Sequence, residues 1–194
     1  MRVARLGLLA IAAAIVCGCG INNIPSYDEQ VKAAWGQVQN QYQRRADLVP
    51  NLVSTVQGYA AHEKDTLQAV VEARAKVSQM NVSPEILSDP AAFKAFEQNQ
   101  AALTGALSRL MVVVEAYPDL KADQNFLQLQ SQLEGTENRI SVARRDYITA
   151  VQRYNTEIRT FPGRIWHALM YRDMKVRESF EAAEGAATAP VVKF

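Results

Sequence analysis

The residue pair with the most suggestive chemistry is His62-Glu63, because an HExxH run places two imidazoles one helical turn apart on a zinc ion. Here the run reads His62-Glu63-Lys64-Asp65-Thr66, and the second His is missing. The other His, His167, lies more than a hundred residues away, so no metal site and no Ser-His-Asp arrangement is expected. Paired carboxylates are the next candidates: Asp28/Glu29, Asp119/Asp123, Glu134/Glu137 and Glu181/Glu184. A general acid and base need one carboxyl in an apolar pocket, its pKa separated from the other. These pairs all sit among mixed charges, as solvated helix faces do. Glycines fall singly and form no phosphate-cradling loop. The spacing therefore points to no catalytic residues, no metal and no cofactor.

One stretch carries polar groups beside an apolar stripe: residues 41–74, QYQRRADLVPNLVSTVQGYAAHEKDTLQAVVEAR. Arg44, Arg45, Asp47, Asn51, Tyr59, His62, Glu63 and Arg74 are its candidate site residues. Arg44, Asp47 and Asn51 are three and four apart, as are Asn51, Thr55 and Tyr59, so each set shares a helix face. Two readings stand: a polar network that fixes helix register, or a groove for a partner or ligand near Pro50. Gly58 costs about 1 kcal/mol against Ala inside a helix, which suggests a close neighbour there.

The elements that must hold these groups are helical. From Ser26, with Glu29 completing a capping box, apolar residues recur every three or four positions through Val77. The stripe keeps phase across Pro50, so the expectation is one kinked helix over about 26–79, roughly 80 Å at ~1.5 Å per residue. Residues 81–90, NVSPEILSDP, form a connection. A second helix carries Phe93 to Val114 and is interrupted at Tyr117-Pro118-Asp119. A third runs on Leu120 to Ile158 and ends at Phe161-Pro162-Gly163, and a shorter one carries Ile165, Leu169, Met170 and Phe180. The fold class is all-α: an elongated antiparallel bundle of about four helices over 26–184, followed by a tail at 185–194. Such apolar stripes also suit a seam with a second copy, so homo-oligomerisation is an alternative.

The amino terminus reads as an address. Arg2 and Arg5 precede eleven residues without a polar side chain, Leu6 to Val16. This is the layout of a secretory signal, and the run is shorter than the ~20 residues of a membrane-spanning helix. Val16-Cys17-Gly18-Cys19 resembles a bacterial lipobox, with Gly18 as the small residue before the modified Cys. The expectation is a signal peptide at 1–18 and a lipidated amino end with a short tether at 19–25. Diacylglycerol on Cys19 plus amino-terminal acylation makes a stable anchor, where one chain would not. An uncleaved single-pass anchor is the alternative. Cleavage leaves 176 of the 194 residues, and a chain with no free thiol or disulfide must be held by its core. Loss of Arg2 and Arg5 takes 21 basic residues to 19 against 20 acidic, a balance that excludes a nucleic-acid footprint. With 48% apolar and 21% charged residues the chain is also too apolar to be disordered. Gly20 after the lipid site favours the periplasmic leaflet of the outer membrane in a two-membrane host, and otherwise the anchor holds the protein on the outer face of the plasma membrane.

The stretch at 44–74 resembles the signature of the LemA family: Arg44-Arg45, Asp47-Leu48-Val49-Pro50-Asn51-Leu52-Val53, Gly58-Tyr59-Ala60, His62-Glu63 and Ala73-Arg74. The other end agrees, with Arg153-Tyr154-Asn155-Thr156, Ile158, Phe161-Pro162, Phe180-Glu181 and Ala189-Pro190-Val191-Val192-Lys193-Phe194. The resemblance implies a helical-bundle domain outside the plasma membrane, held by an amino-terminal membrane segment. It implies membrane protein partners, commonly a TPM-domain protein and sometimes a membrane metallopeptidase. The family has no established catalytic residues to carry over. Two departures stand out: a lipobox where many members keep a transmembrane helix, and Met170-Tyr171 where a Gly-Phe pair is usual. The implied function is a non-enzymatic scaffold or regulator of membrane partners, with a ligand- or lipid-binding bundle as the alternative. Cys19→Ala is expected to abolish lipid labelling and signal cleavage; labelling that persists in metabolic incorporation of a radiolabelled fatty acid would place the anchor elsewhere.

Overall fold

The computed structural model describes residues 20–80 and 82–181. The signal segment, Cys19 and the tail at 185–194 lie outside the described residues. Among these residues six α-helices follow in order: α1 (Asn23–Tyr59), α2 (Lys64–Ser78), α3 (Pro90–Val114), α4 (Pro118–Ala122), α5 (Gln124–Arg159) and α6 (Gly163–Met170). A 3-10 turn, Pro84–Ser88, joins α2 to α3. Residues 171–181 then form a strap without regular secondary structure. No strand occurs among the described residues.

The helix α1 starts three residues before the expected Ser26 cap, with Asn22 as its N-cap. Ile24 is fully buried and Asn23 Nδ2 donates to Glu157 Oε1 at 3.2 Å, so packing against α5 pulls the first turn into the helix. Pro25 is tolerated because first-turn N–H groups have no intrahelical acceptor to lose. The expected single helix over 26–79 is corrected in one respect. The chain runs straight through Pro50 as helix and instead breaks at residues 60–63, between Tyr59 and Lys64. Ala60 N–H still bonds Val56 O, and Glu63 N–H turns back to Ala60 O. Ala60 is fully buried there, so the turn is pinned by packing.

The four longer helices, α1, α2, α3 and α5, form the bundle, and α1 packs most extensively on α5, α2 on α3. Cross-links such as Arg153–Tyr27, Arg139–Gln41 and Tyr59–Asp123 run in opposite chain directions, which makes α1 and α5 antiparallel along their whole length, ~55 Å. Because α2 has only 15 residues, it covers half of the bundle. The half nearest residue 20 is completed by the 3-10 turn and by the strap.

That half is an aromatic core. Trp35 lies 5.8 Å from Phe93, 5.1 Å from Phe96 and 5.3 Å from Tyr147, centroid to centroid. Phe180 of the strap closes it, 5.2 Å from Phe93 and 5.4 Å from Tyr147. Phe180 was expected on the last helix with Ile165, Leu169 and Met170. It leaves that helix for the core, while those three remain exposed on α6. Asn155 clasps the strap at Arg177 through both side-chain groups, and Glu178 N–H bonds Leu87 O at 2.8 Å. Gly163 begins α6 against Glu157 O so closely that a Cβ there would overlap the carbonyl. Gly58, by contrast, is exposed and has open space where a Cβ would stand, so the close neighbour expected for it is absent among the described residues.

Two buried phenols also hold the strap: Tyr147 donates to Glu178 O at 2.7 Å and Tyr154 to Lys175 O at 2.9 Å. Burial pushes the Tyr154 phenol up to about 12 and raises Tyr147 as well. A raised folded-state pKa means this stability is fully present below the free phenol value of ~10 and is lost as pH rises through about 12. Alkaline titration followed by tyrosinate absorbance and circular dichroism is expected to show these phenols ionising last, together with release of the strap. Ionisation of all seven tyrosines in one early step, with the fold intact, would contradict this.

Candidate functional site

The inner face of α1 reads Ile24, Asp28, Val31, Trp35, Val38, Tyr42, Arg45, Val49, Leu52 and Val56, all buried. Two charged residues fall in that register, and each is met by partners from other elements. Arg45 is 1% exposed. Its Nη1 donates to Thr104 Oγ1 at 2.8 Å and to Glu137 Oε1 at 3.0 Å. Its Nη2 donates to the Gln100 backbone oxygen at 3.2 Å and to Gln100 Oε1 at 2.5 Å. The guanidinium also stands 5.0 Å from the Tyr42 ring centroid. A buried guanidinium is tolerated only when its charge and its N–H groups are matched, and here only Nε–H has no partner among the described residues.

This layer, with buried Gln100 and Thr136, separates two apolar cores. Above the layer lies the aromatic core; below it pack Val49, Leu52, Val70, Leu103, Leu107, Leu110 and Phe126. At the layer an open groove of about 550 Å³ runs between α3 and α5. Tyr42 and Arg45 form its floor, Glu97, Ala101 and Thr104 one wall, and Ile140, Ser141, Arg144, Arg145 and Ile148 the other. Arg144 stands 3.9 Å from Glu97 and 4.1 Å over the Phe180 ring. Burial raises the Glu97 carboxyl, with Arg144 opposing the shift. Burial likewise raises the Tyr42 phenol. The groove offers apolar surface, paired charges and exposed Ser and Arg groups. These groups suit recognition of a bound segment. Among the described residues no cluster of three or more His, Cys, Asp or Glu is placed to hold a metal ion.

The other residues singled out at 44–74 separate into three places. Arg74 crosses from α2 to α1, donating from Nε to Ala46 O at 3.0 Å. Ala46 is the residue whose carbonyl would accept from position 50 in an unbroken helix, and Pro50 has no N–H to give. Arg74 therefore supplies the donor that Pro50 lacks, which explains why the helix survives there. At the far end of the bundle, Tyr59 donates to Asp123 Oδ2 at 3.0 Å and Tyr117 to Glu63 Oε1 at 2.9 Å. The hydrogen bond to Asp123 raises the Tyr59 phenol, and Asp123 is lowered chiefly by the Phe126 N–H it caps, then by Tyr59. Glu63 is thus a tie between the turn and α4, and His62 is exposed beside it. Arg44, Asp47 and Asn51 face solvent, Asp47 accepting from Gln43 at 2.8 Å.

A second charged site corrects the reading of Asp28/Glu29 as a solvated pair, because Asp28 lies buried. Asp28 is 3% exposed and accepts from Arg177 Nε at 2.8 Å and Nη2 at 2.6 Å, with Lys32 at 3.0 Å. Arg177 Nη1 also reaches Ser88 Oγ at 2.5 Å. The signal in the sequence was an acidic residue on the apolar register of α1; its partner 149 positions away is set by the tertiary fold.

A LemA family model matches residues 34–194. The chain belongs to the LemA family. It is similar to magnetosome proteins MamQ 1 and MamQ 2 of Paramagnetospirillum magneticum, 26% identical to each over 99% of this chain and 75% of the relative. It is also similar to protein LemA of Metamycoplasma hominis, 26% identical over 72% of this chain and 60% of that protein.

Arg74→Met is expected to cost about 1–3 kcal/mol in the natural chain, because it strands a carbonyl inside the α1–α2 contact. In a Pro50→Ala background the new N–H takes over that carbonyl, and most of the cost should vanish. Equal costs in both backgrounds, measured by urea denaturation, would break the link between Pro50 and Arg74.

Proposed function

We propose that this LemA-family protein is a membrane-tethered, non-enzymatic adaptor that receives a segment of a membrane protein partner in the groove between α3 and α5. The groove itself carries the reading. It is open, of a size to accept several side chains, and its floor is a guanidinium already neutralised by Glu137. A floor of this kind is preorganised and costs little to bind against. The walls combine Ile140, Ile148 and Ala101 with Arg145 and Ser141, the mixture of apolar centre and polar rim that protein interfaces use.

The sequence adds the tether. A lipid on Cys19 would hold the molecule by the end at which α1 begins, with the rod standing away from the bilayer. No helix among the described residues is long and apolar enough to cross a membrane. The names of the relatives, LemA and magnetosome protein MamQ, carry no reaction, which favours an adaptor over an enzyme. A TPM-domain membrane protein is the partner class that the family resemblance implies.

Replacing Ala101 or Ser141 by a photo-crosslinking residue in the full chain, in its own host, tests this. Illumination is expected to give one dominant adduct with a membrane protein from both walls, identified by mass spectrometry. A crosslinker at Asn51, on the outer face of α1, is expected to give little. Adducts from Asn51 and none from either wall would move the interface to α1; adducts only with a second copy would replace the adaptor by a homo-oligomer.

A further inference from the structure

Among the described residues, four exposed large hydrophobic side chains gather at the end of the bundle where α1 begins. Ile165 and Leu169 are one turn apart on the outer face of α6, 47% and 67% exposed. Phe161, in the turn before α6, is 80% exposed, and Met170 is 58% exposed at its end. The opposite side of α6 does the packing: Gly163 is buried against Glu157, and Trp166 packs on the aromatic core. His167 Nε2 meets Met174 O at 2.9 Å. The helix is therefore fixed in orientation with an apolar face turned outward.

The charges within residues 159–172 have one sign, with Glu157 and exposed Asp173 just outside that stretch. Residues 159–172, RTFPGRIWHALMYR, contain Arg159, Arg164 and Arg172 and no Asp or Glu, in a chain that is otherwise nearly balanced. All three arginines are exposed. An apolar strip of Phe, Ile and Leu edged by Arg is the composition of a helix that rests in a membrane interface, its apolar face some 5–10 Å into the headgroup region.

Position supplies the second argument. Asn23, the first residue of α1, bonds Glu157 near the end of α5, and α6 follows that end within one turn of chain. Cys19 precedes Asn23 by four residues, which reach at most about 14 Å when fully extended. Any anchor at Cys19 thus keeps this end of the rod at the bilayer surface. A free lipid ligand would need an enclosed cavity, whereas the face on α6 is convex and open, the geometry of a surface contact.

We infer that α6 is a membrane-interface helix, which seats Phe161, Ile165 and Leu169 among the lipid chains and Arg159, Arg164 and Arg172 at anionic headgroups. The inference rests on the anchor at Cys19 for its geometry. It adds a second attachment point: one lipid tether alone leaves the rod free to swivel, whereas two contacts fix its tilt and the direction in which the groove between α3 and α5 faces.

The test uses the full-length lipidated protein in vesicles of phosphatidylethanolamine and phosphatidylglycerol. An environment-sensitive fluorescent amino acid replaces Leu169 or, as a control at the far end, exposed Val112. Brominated acyl chains are expected to quench the probe at 169 and leave the probe at 112 bright. Phe161→Ser with Ile165→Ser should lower the quenching at 169 while the protein still sediments with the vesicles. A probe at 169 that stays bright on vesicle-bound protein overturns the inference and leaves the anchor standing. Protein that fails to sediment refutes the anchor reading and the inference with it. A blue shift at 169 that depends on protein concentration and not on lipid bromination assigns the face to a second copy instead.

Discussion

The fold turns on the placement of one guanidinium. Arg45 sits on the core face of α1 between Val38, Tyr42, Val49 and Leu52, and its charge must be met by groups from α3 and α5. Because its N–H groups lie in a fixed fork, Gln100, Thr104 and Glu137 can satisfy it in one relative setting of the three helices. Long amphipathic helices pack in several registers at similar cost, and a buried polar layer is a way to reject the wrong ones. The same layer keeps the aromatic core and the aliphatic core apart and holds the walls of the groove at their spacing.

A second constraint comes from backbone hydrogen bonds. Pro50 ought to break α1, yet the helix continues because Arg74 gives Ala46 the donor that Pro50 cannot. The chain turns instead at residues 60–63, where buried Ala60 and the ties from Tyr59 and Glu63 to α4 and its flanks fix the reversal. Two motif segments that look unrelated in the chain, one around Pro50 and one ending at Arg74, are thus halves of one contact.

The two ends of the rod differ in kind. The far end is closed by polar ties between turns. The end near residue 20 carries the strap, latched by Arg177 on Asp28, and the outward apolar face of α6. Half of the residues singled out at 44–74 are spent on structure, Tyr59 on Asp123, Glu63 on Tyr117, Arg74 on Ala46 and Arg45 on three partners, while Arg44, Asp47, Asn51 and His62 face solvent. The surfaces left open are the groove between α3 and α5 and the outer face of α6.

The sequence by itself determined the helical class, the approximate boundaries of α3 and α5, the apolar stripe of α1 and the family, because 3.6-residue periodicity and local motifs are properties of neighbouring positions. It also marked the residues at 44–74 as a polar set beside a core, which holds for Arg45 and Arg74. It did not reveal which of two readings applied to each, because the partners of Arg45 are 55, 59 and 92 positions away. The tertiary structure decided that Pro50 is bridged and residue 60 turns, since the donor that rescues Ala46 comes from another helix. It decided that Phe180 leaves helical periodicity for the aromatic core while Ile165 and Leu169 stay outside. Burial of a side chain depends on what stands opposite it, and on α6 the chain places Trp166 and Gly163 inward, leaving no volume for the rest.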